Sequence, residues 1–86
     1  MKLSKRIKKV KISDNWNILV SFVNGVTKMY DVSLQFKAFP DTFEPLKQNP
    51  CLFPNIEVYA GGIGVFWNLD IDISENELWE NGVVVN

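Results

Sequence analysis

Between positions 16 and 23 the chain alternates cleanly. Trp16, Ile18, Val20 and Phe22 fall on one face of an extended segment, and Asn17, Leu19, Ser21 and Val23 fall on the other. Asn24-Gly25 follows, a strong hairpin signal because a type I′ turn needs positive φ at both central positions. A return strand is expected over 26–31, with Val23 opposite Val26, Leu19 opposite Tyr30, and Val20 paired with Met29 on the inward face. Before this hairpin, residues 7–12 alternate imperfectly. Val10 and Ile12 share a face, with lysines on the other, and Ser13-Asp14-Asn15 makes a turn. Lysines discourage edge-to-edge pairing, so this first strand is assigned to a sheet edge.

From 32 to 51 the β pattern breaks. Prolines stand at 40, 45 and 50, among Leu34, Phe36, Phe39, Phe43 and Leu46. Asp41 stands three residues before Glu44, a cap-like spacing, and a short helix is expected over about 41–48. Its Phe39, Phe43 and Leu46 lie at i, i+4 and i+7, one face that covers a sheet. Pro45 would then be the helix's N4 residue, and proline is tolerable only in the first turn.

Residues 56–60 and 63–68 read as a second hairpin around Gly61-Gly62, with Ala60 facing Ile63, Val58 facing Val65 and Ile56 facing Trp67. Residues 69–73 alternate apolar and acidic, either extending this strand or linking onward. Ser74-Glu75-Asn76-Glu77 is a capping-box pattern, and its acids suit the positive end of a helix dipole. The helix is expected over 75–81, stopping at Gly82, with Leu78 inward. Residues 83–85, three valines, are a docked tail or a partner-binding strand.

The expected architecture is α+β: an antiparallel sheet of four to five strands, made of two hairpins and an N-terminal edge strand, with a short helix between the hairpins and a C-terminal helix. Residues 1–6 are a flexible basic N-terminus, 7–82 a single domain and 83–86 a tail. At 86 residues and 47% hydrophobic, one core is feasible but not generous, since a chain of this size buries roughly 60–70% of its unfolded surface.

Composition removes several chemistries. The chain has no histidine, so Ser-His-Asp and Cys-His nucleophiles, histidine bases and the common zinc sites are absent. The one cysteine, Cys51, forms no intramolecular disulfide and reads as a small buried hydrophobe. With no signal-peptide pattern and no apolar run near the roughly 20 residues of a membrane span, a cytoplasmic protein is expected. No catalytic residue, cofactor site or metal site is assigned.

Charge is balanced overall, at -1, but not along the chain. Residues 1–13 hold six of the nine basic residues and no acid; residues 51–86 hold six acids and no base. The two tracts either make the molecule dipolar or lie together and neutralise each other. Asp70, Asp72, Glu75 and Glu77 form an oxygen-rich cluster of the kind hard cations favour, but strand alternation and helix capping account for it.

The ordered set of a basic first strand, Phe22-Val23-Asn24-Gly25, Tyr30-Asp31-Val32, Phe43 and Leu46, Phe53, Trp67, Asp72-Ile73 and Leu78 resembles a small bacterial family, domain of unknown function 2442. The resemblance covers roughly residues 7–82. This chain has Asn68 where members typically carry proline after the tryptophan. The resemblance implies a small α+β domain with an antiparallel sheet and C-terminal helix. Members look like accessory proteins beside small toxin-like partners, and some are attached to DNA-binding modules. It carries no catalytic set.

The expected function is therefore a non-catalytic protein-interaction module, antitoxin-like or accessory. It would act through an exposed sheet face or the acidic helix, with Glu75, Trp79 and Glu80 as candidate contacts. The alternative is a nucleic-acid-associated domain using Lys5, Arg6, Lys8, Lys9 and Lys11 on phosphates. Oligomeric state is not legible.

Overall fold

Three strands and a docked tail form one sheet in the computed structural model, which describes residues 5–85. β1 (Ile7–Ile12), β2 (Asn17–Phe22) and β3 (Thr27–Asp31) follow one another, and β7 (Val83–Val84) closes the order β1-β2-β3-β7. A second sheet holds β4 (Glu57–Val58), β5 (Gly64–Asn68) and β6 (Ile71–Ser74) in that order. All pairings are antiparallel. Between the sheets in sequence lie α1 (Ser33–Ala38), α2 (Pro40–Gln48) and a 3₁₀ segment, Pro50–Asn55; α3 (Glu75–Asn81) precedes β7. The α+β class, the antiparallel pairing and the C-terminal helix are as expected. The expected single sheet is divided in two, the segment after Asn68 turns back as its own strand, and the tail is a strand.

β1's irregular alternation has a local cause. Ile7 pairs with Phe22 while Lys9 pairs with Ser21, so Lys8 is the extra residue of a β-bulge. The bulge puts Ile7, Val10 and Ile12 on one face despite their uneven spacing. On β2, Ile18, Val20 and Phe22 are buried as the alternation requires.

The β2–β3 register differs by one residue from the type I′ expectation. Val20 pairs with Lys28 and Ile18 with Tyr30. The loop has three residues: Gly25 N–H donates to Phe22 O at 3.0 Å, Gly25 holds φ +92°, and Asn24 Oδ1 accepts from Val26 N. This is a turn followed by a left-handed glycine, the other common hairpin closure. The single-residue shift brings Tyr30 to the buried face and leaves Met29 on the outer one.

In the second sheet the register is the expected one, with Val58 opposite Val65, but the connection is a four-residue loop containing a 3₁₀ turn at Ala60–Gly62. Asn68 takes a definite role: its Oδ1 accepts from Asp70 N at 2.8 Å and Ile71 N at 3.1 Å. That side-chain turn reverses the chain into β6, the task a proline performs by fixing φ.

Five aromatics join the layers in a closed circuit: Trp16–Phe36, Phe36–Phe43, Phe43–Trp67, Trp67–Phe53 and Phe53–Trp16, with centroids 5.0–6.2 Å apart. They come from the β1–β2 turn, α1, α2, the 3₁₀ segment and β5. Trp16 reaches the circuit because it is not in the strand. It and Asn15 hold φ +66° and +56° in the turn, a conformation that costs an ordinary side chain about 1–2 kcal/mol. α2 begins one residue early, with Pro40 in its first turn, so Pro45 stands inside the helix. Its buried residues are Phe43 and Leu46; Phe39 is exposed.

Candidate functional site

Half of the expected capping box forms on α3. Ser74 Oγ accepts from Glu77 N at 3.2 Å. The Glu77 carboxylate does not reach back. It accepts from Tyr30 Oη at 2.7 Å and from Asn81 Nδ2 at 3.0 Å, while Gln35 Nε2 donates to Tyr30 Oη at 2.9 Å. Tyr30, Gln35 and Glu77 thus tie β3, α1 and α3 through one hydroxyl. Burial, more than the Glu77 carboxylate, raises the Tyr30 pKa well above that of a free phenol.

Tyr30→Phe leaves a buried amide donor and a carboxylate oxygen short of a partner, and it is expected to lower stability by about 1–3 kcal/mol. A raised phenol pKa stabilises fully below the unfolded value of about 10. Above it, the unfolded chain ionises while the folded one does not, so stability falls as pH rises. Wild type should therefore lose stability in urea titrations from pH 9 to 11 more steeply than Tyr30→Phe. Parallel curves would refute the role given to this hydroxyl.

The sequence-derived contacts are distributed unevenly. Glu75 is half-buried and paired with Arg6 at 3.4 Å; Lys5 Nζ donates to Asn76 Oδ1 at 2.6 Å. The described end of the basic tract and the start of the acidic helix are therefore neighbours. Residues 1–4 of the basic N-terminus lie outside the described residues. Lys8, Lys9 and Lys11 are exposed along β1. Trp79 is packed edge-on against Phe22 at 5.0 Å, under the Lys28 ammonium at 4.0 Å, and Lys28 also donates to the Trp79 carbonyl. It is a lid on the core edge rather than a free anchor. Glu80 is exposed. The acidic cluster is dispersed: Glu75 pairs with Arg6, Glu77 with Tyr30, Asp72 with Tyr59 at 3.1 Å, and Asp70 stands exposed at a turn. Among the described residues no three cysteines or carboxylates converge to hold a metal ion. Cys51 is exposed rather than buried, because the 3₁₀ segment turns Phe53 inward in its place.

Two surfaces emerge that sequence reasoning missed. The first is a cleft of about 380 Å³ lined by Asn17, Met29, Asp31, Leu34, Asn81, Val83 and Val85. It lies on the outer face of the four-stranded sheet, where Met29 pairs with Val83. The run of three valines was its signal, but the register shift that exposes Met29 was not legible. The second is the outer face of the three-stranded sheet. Glu57, Phe66 and Asp72 align across its strands, and the Tyr59 ring stacks on Phe66 at 4.5 Å. Partial burial, and then the Asp72 hydrogen bond, raise the Tyr59 pKa.

These features define a small α+β domain of two antiparallel sheets with a C-terminal helix. The chain belongs to the family described as "Protein of unknown function (DUF2442)", which matches residues 7–83. No curated protein and no solved structure matches it. No helix among the described residues is long and apolar enough to cross a membrane.

Proposed function

We propose that this protein is a non-catalytic protein-interaction module of the cytoplasm, antitoxin-like or accessory to a small bacterial partner protein. The observation that carries the reading is the uncovered cleft beside β7. Val83 and Val85 are 67% and 48% exposed and Leu34 is 40% exposed around it. Apolar side chains gathered in one hollow at a sheet edge mark an interaction site more than scattered ones do.

β7 is also an open edge. Val85 N donates to Thr27 O at 3.0 Å, so by alternation the Val84 amide and carbonyl face away from β3. The opposite edge strand carries Lys8, Lys9, Lys11 and a bulge, the usual guards against pairing; β7 carries none. An extended apolar segment of the partner fits here, adding backbone bonds along β7 and side chains in the cleft.

The test compares tagged wild type with Met29→Asp in the native host, followed by reconstitution of the purified pair. A stoichiometric partner held by wild type and lost at least tenfold by Met29→Asp, with unchanged melting, is the expected result. A partner retained equally by both removes the cleft from the interface.

The nucleic-acid reading is favoured by one observation, the exposure of Lys8, Lys9 and Lys11 on a single edge strand. Lys5 and Arg6, its other two cations, already engage α3. It requires salt-dependent binding that weakens when the three lysines are neutralised.

A further inference from the structure

We infer that the outer face of the three-stranded sheet binds an arginine-bearing segment of a protein, holding a guanidinium against Phe66 and Tyr59 between the carboxylates of Glu57 and Asp72. This surface is distinct from the cleft beside β7, and either can fail without the other.

Glu57, Phe66 and Asp72 occupy facing positions on β4, β5 and β6. Adjacent strands lie about 4.8 Å apart, so the β4 and β6 backbones that carry the two acids run about 10 Å apart on either side of Phe66. The Tyr59 ring lies over Phe66 within that span and reaches Asp72, so a planar guanidinium would stack on the outer Tyr59 face, with Glu57 and Asp72 to either side. Arginine suits it better than lysine, because its flat cation stacks on an aromatic face while its fork of donors meets a carboxylate. Asp72 directs one oxygen, Oδ2, at the Tyr59 hydroxyl, which fixes the carboxylate beside the ring. Next to it lies a hollow of about 290 Å³ lined by Tyr59, Ile63, Gly64, Asp72, Ile73 and Ser74, with Ile63 50% exposed at its rim. Aliphatic neighbours of the arginine fit there.

Charge complementarity selects the occupant. Residues 51–86 contain six acids and no base. Of the described cations, Arg6 pairs with Glu75, Lys5 with Asn76, and Lys28 lies over Trp79. Among the described residues neither Glu57 nor Asp72 has a cationic partner. A sheet face carrying a stacked, part-exposed aromatic pair and two exposed carboxylates that no described cation neutralises calls for a cation with an apolar stem.

The probe is an end-blocked heptapeptide alternating arginine with valine, titrated into the full chain at low salt and followed by amide chemical shifts. The expected result is saturable shifts centred on Glu57, Phe66 and Asp72. Affinity should fall at least tenfold when citrulline, the neutral isostere, replaces arginine, and at least tenfold in the Glu57→Gln, Asp72→Asn double variant. Phe66→Leu, which keeps an apolar residue at that position, should weaken the arginine peptide more than its lysine counterpart. Equal binding of the citrulline peptide, shifts centred instead on Met29 and Val83, or undiminished binding by the double variant would each overturn the assignment. Concentration-dependent shifts at the same residues without peptide would also overturn it, giving the face to a second copy's lysine-bearing β1.

Discussion

Trp67→Ala should lower the unfolding free energy by about 3–5 kcal/mol, the range for truncating a large buried aromatic. Trp67 is 8% exposed, and its ring takes two of the five contacts of the aromatic circuit, to Phe43 and Phe53. Its Nε1–H donates to the Phe53 carbonyl at 3.0 Å. Truncation therefore opens a cavity where α2, the 3₁₀ segment and the second sheet meet, and it strands a buried carbonyl. Native domains have only about 5–15 kcal/mol in total, so the loss is a large share. Trp67→Phe separates the two effects: it keeps most of the packing and loses the donor, with an expected cost of about 1–3 kcal/mol. Urea unfolding followed by circular dichroism measures both. A cost below about 1 kcal/mol for Trp67→Ala would mean that the circuit does not hold the layers together.

The second large effect belongs to a glycine pair. Gly62 holds φ +71°, and a Cβ placed on it would lie 2.5 Å from the Ile7 carbonyl oxygen and 2.8 Å from the Ile7 amide nitrogen. Both obstacles are backbone, so neither can rotate away. Gly61 holds a similar φ of +82°, but a Cβ there would meet only the Ile63 side chain, at 3.9 Å. Gly61→Ala should cost about 1–2 kcal/mol, the left-handed strain alone. Gly62→Ala should cost about 2–5 kcal/mol, because about 1–3 kcal/mol of overpacking is added. Equal melting shifts for the two variants would show that β1 does not rest on this turn.

Much of the fold was legible where local chemistry dominates. The alternation of Ile18, Val20 and Phe22 placed β2's buried face correctly, and Val58 opposite Val65 gave the second hairpin's register. Ser74 caps α3 as its position ahead of two glutamates implied. The errors arose where two local solutions lie close in energy. Asn24-Gly25 serves a two-residue turn or a three-residue turn with a left-handed glycine, and the choice moves every facing pair by one residue. With the second closure Tyr30 turns inward, to where Gln35 and Glu77 satisfy its hydroxyl.

The candidate surfaces were less legible than the core. That Trp79 packs against Phe22 and Lys28, and Glu75 against Arg6, was not legible on a helix considered alone, since those neighbours are distant in sequence. The row Glu57, Phe66 and Asp72 spans three strands, and Asp72 joins it only because Asn68 turns the chain back.

By itself, the sequence determined which residues are apolar and at what period, where α3 is capped, and that histidine chemistry is absent; each of these depends on neighbours a few positions away. Only the tertiary structure decided that the strands divide into two sheets, that residues 83–84 close the first of them, and that the basic and acidic tracts meet at Arg6 and Glu75. Those outcomes depend on which distant segments bury each other's apolar faces at least cost, and no local pattern encodes that competition.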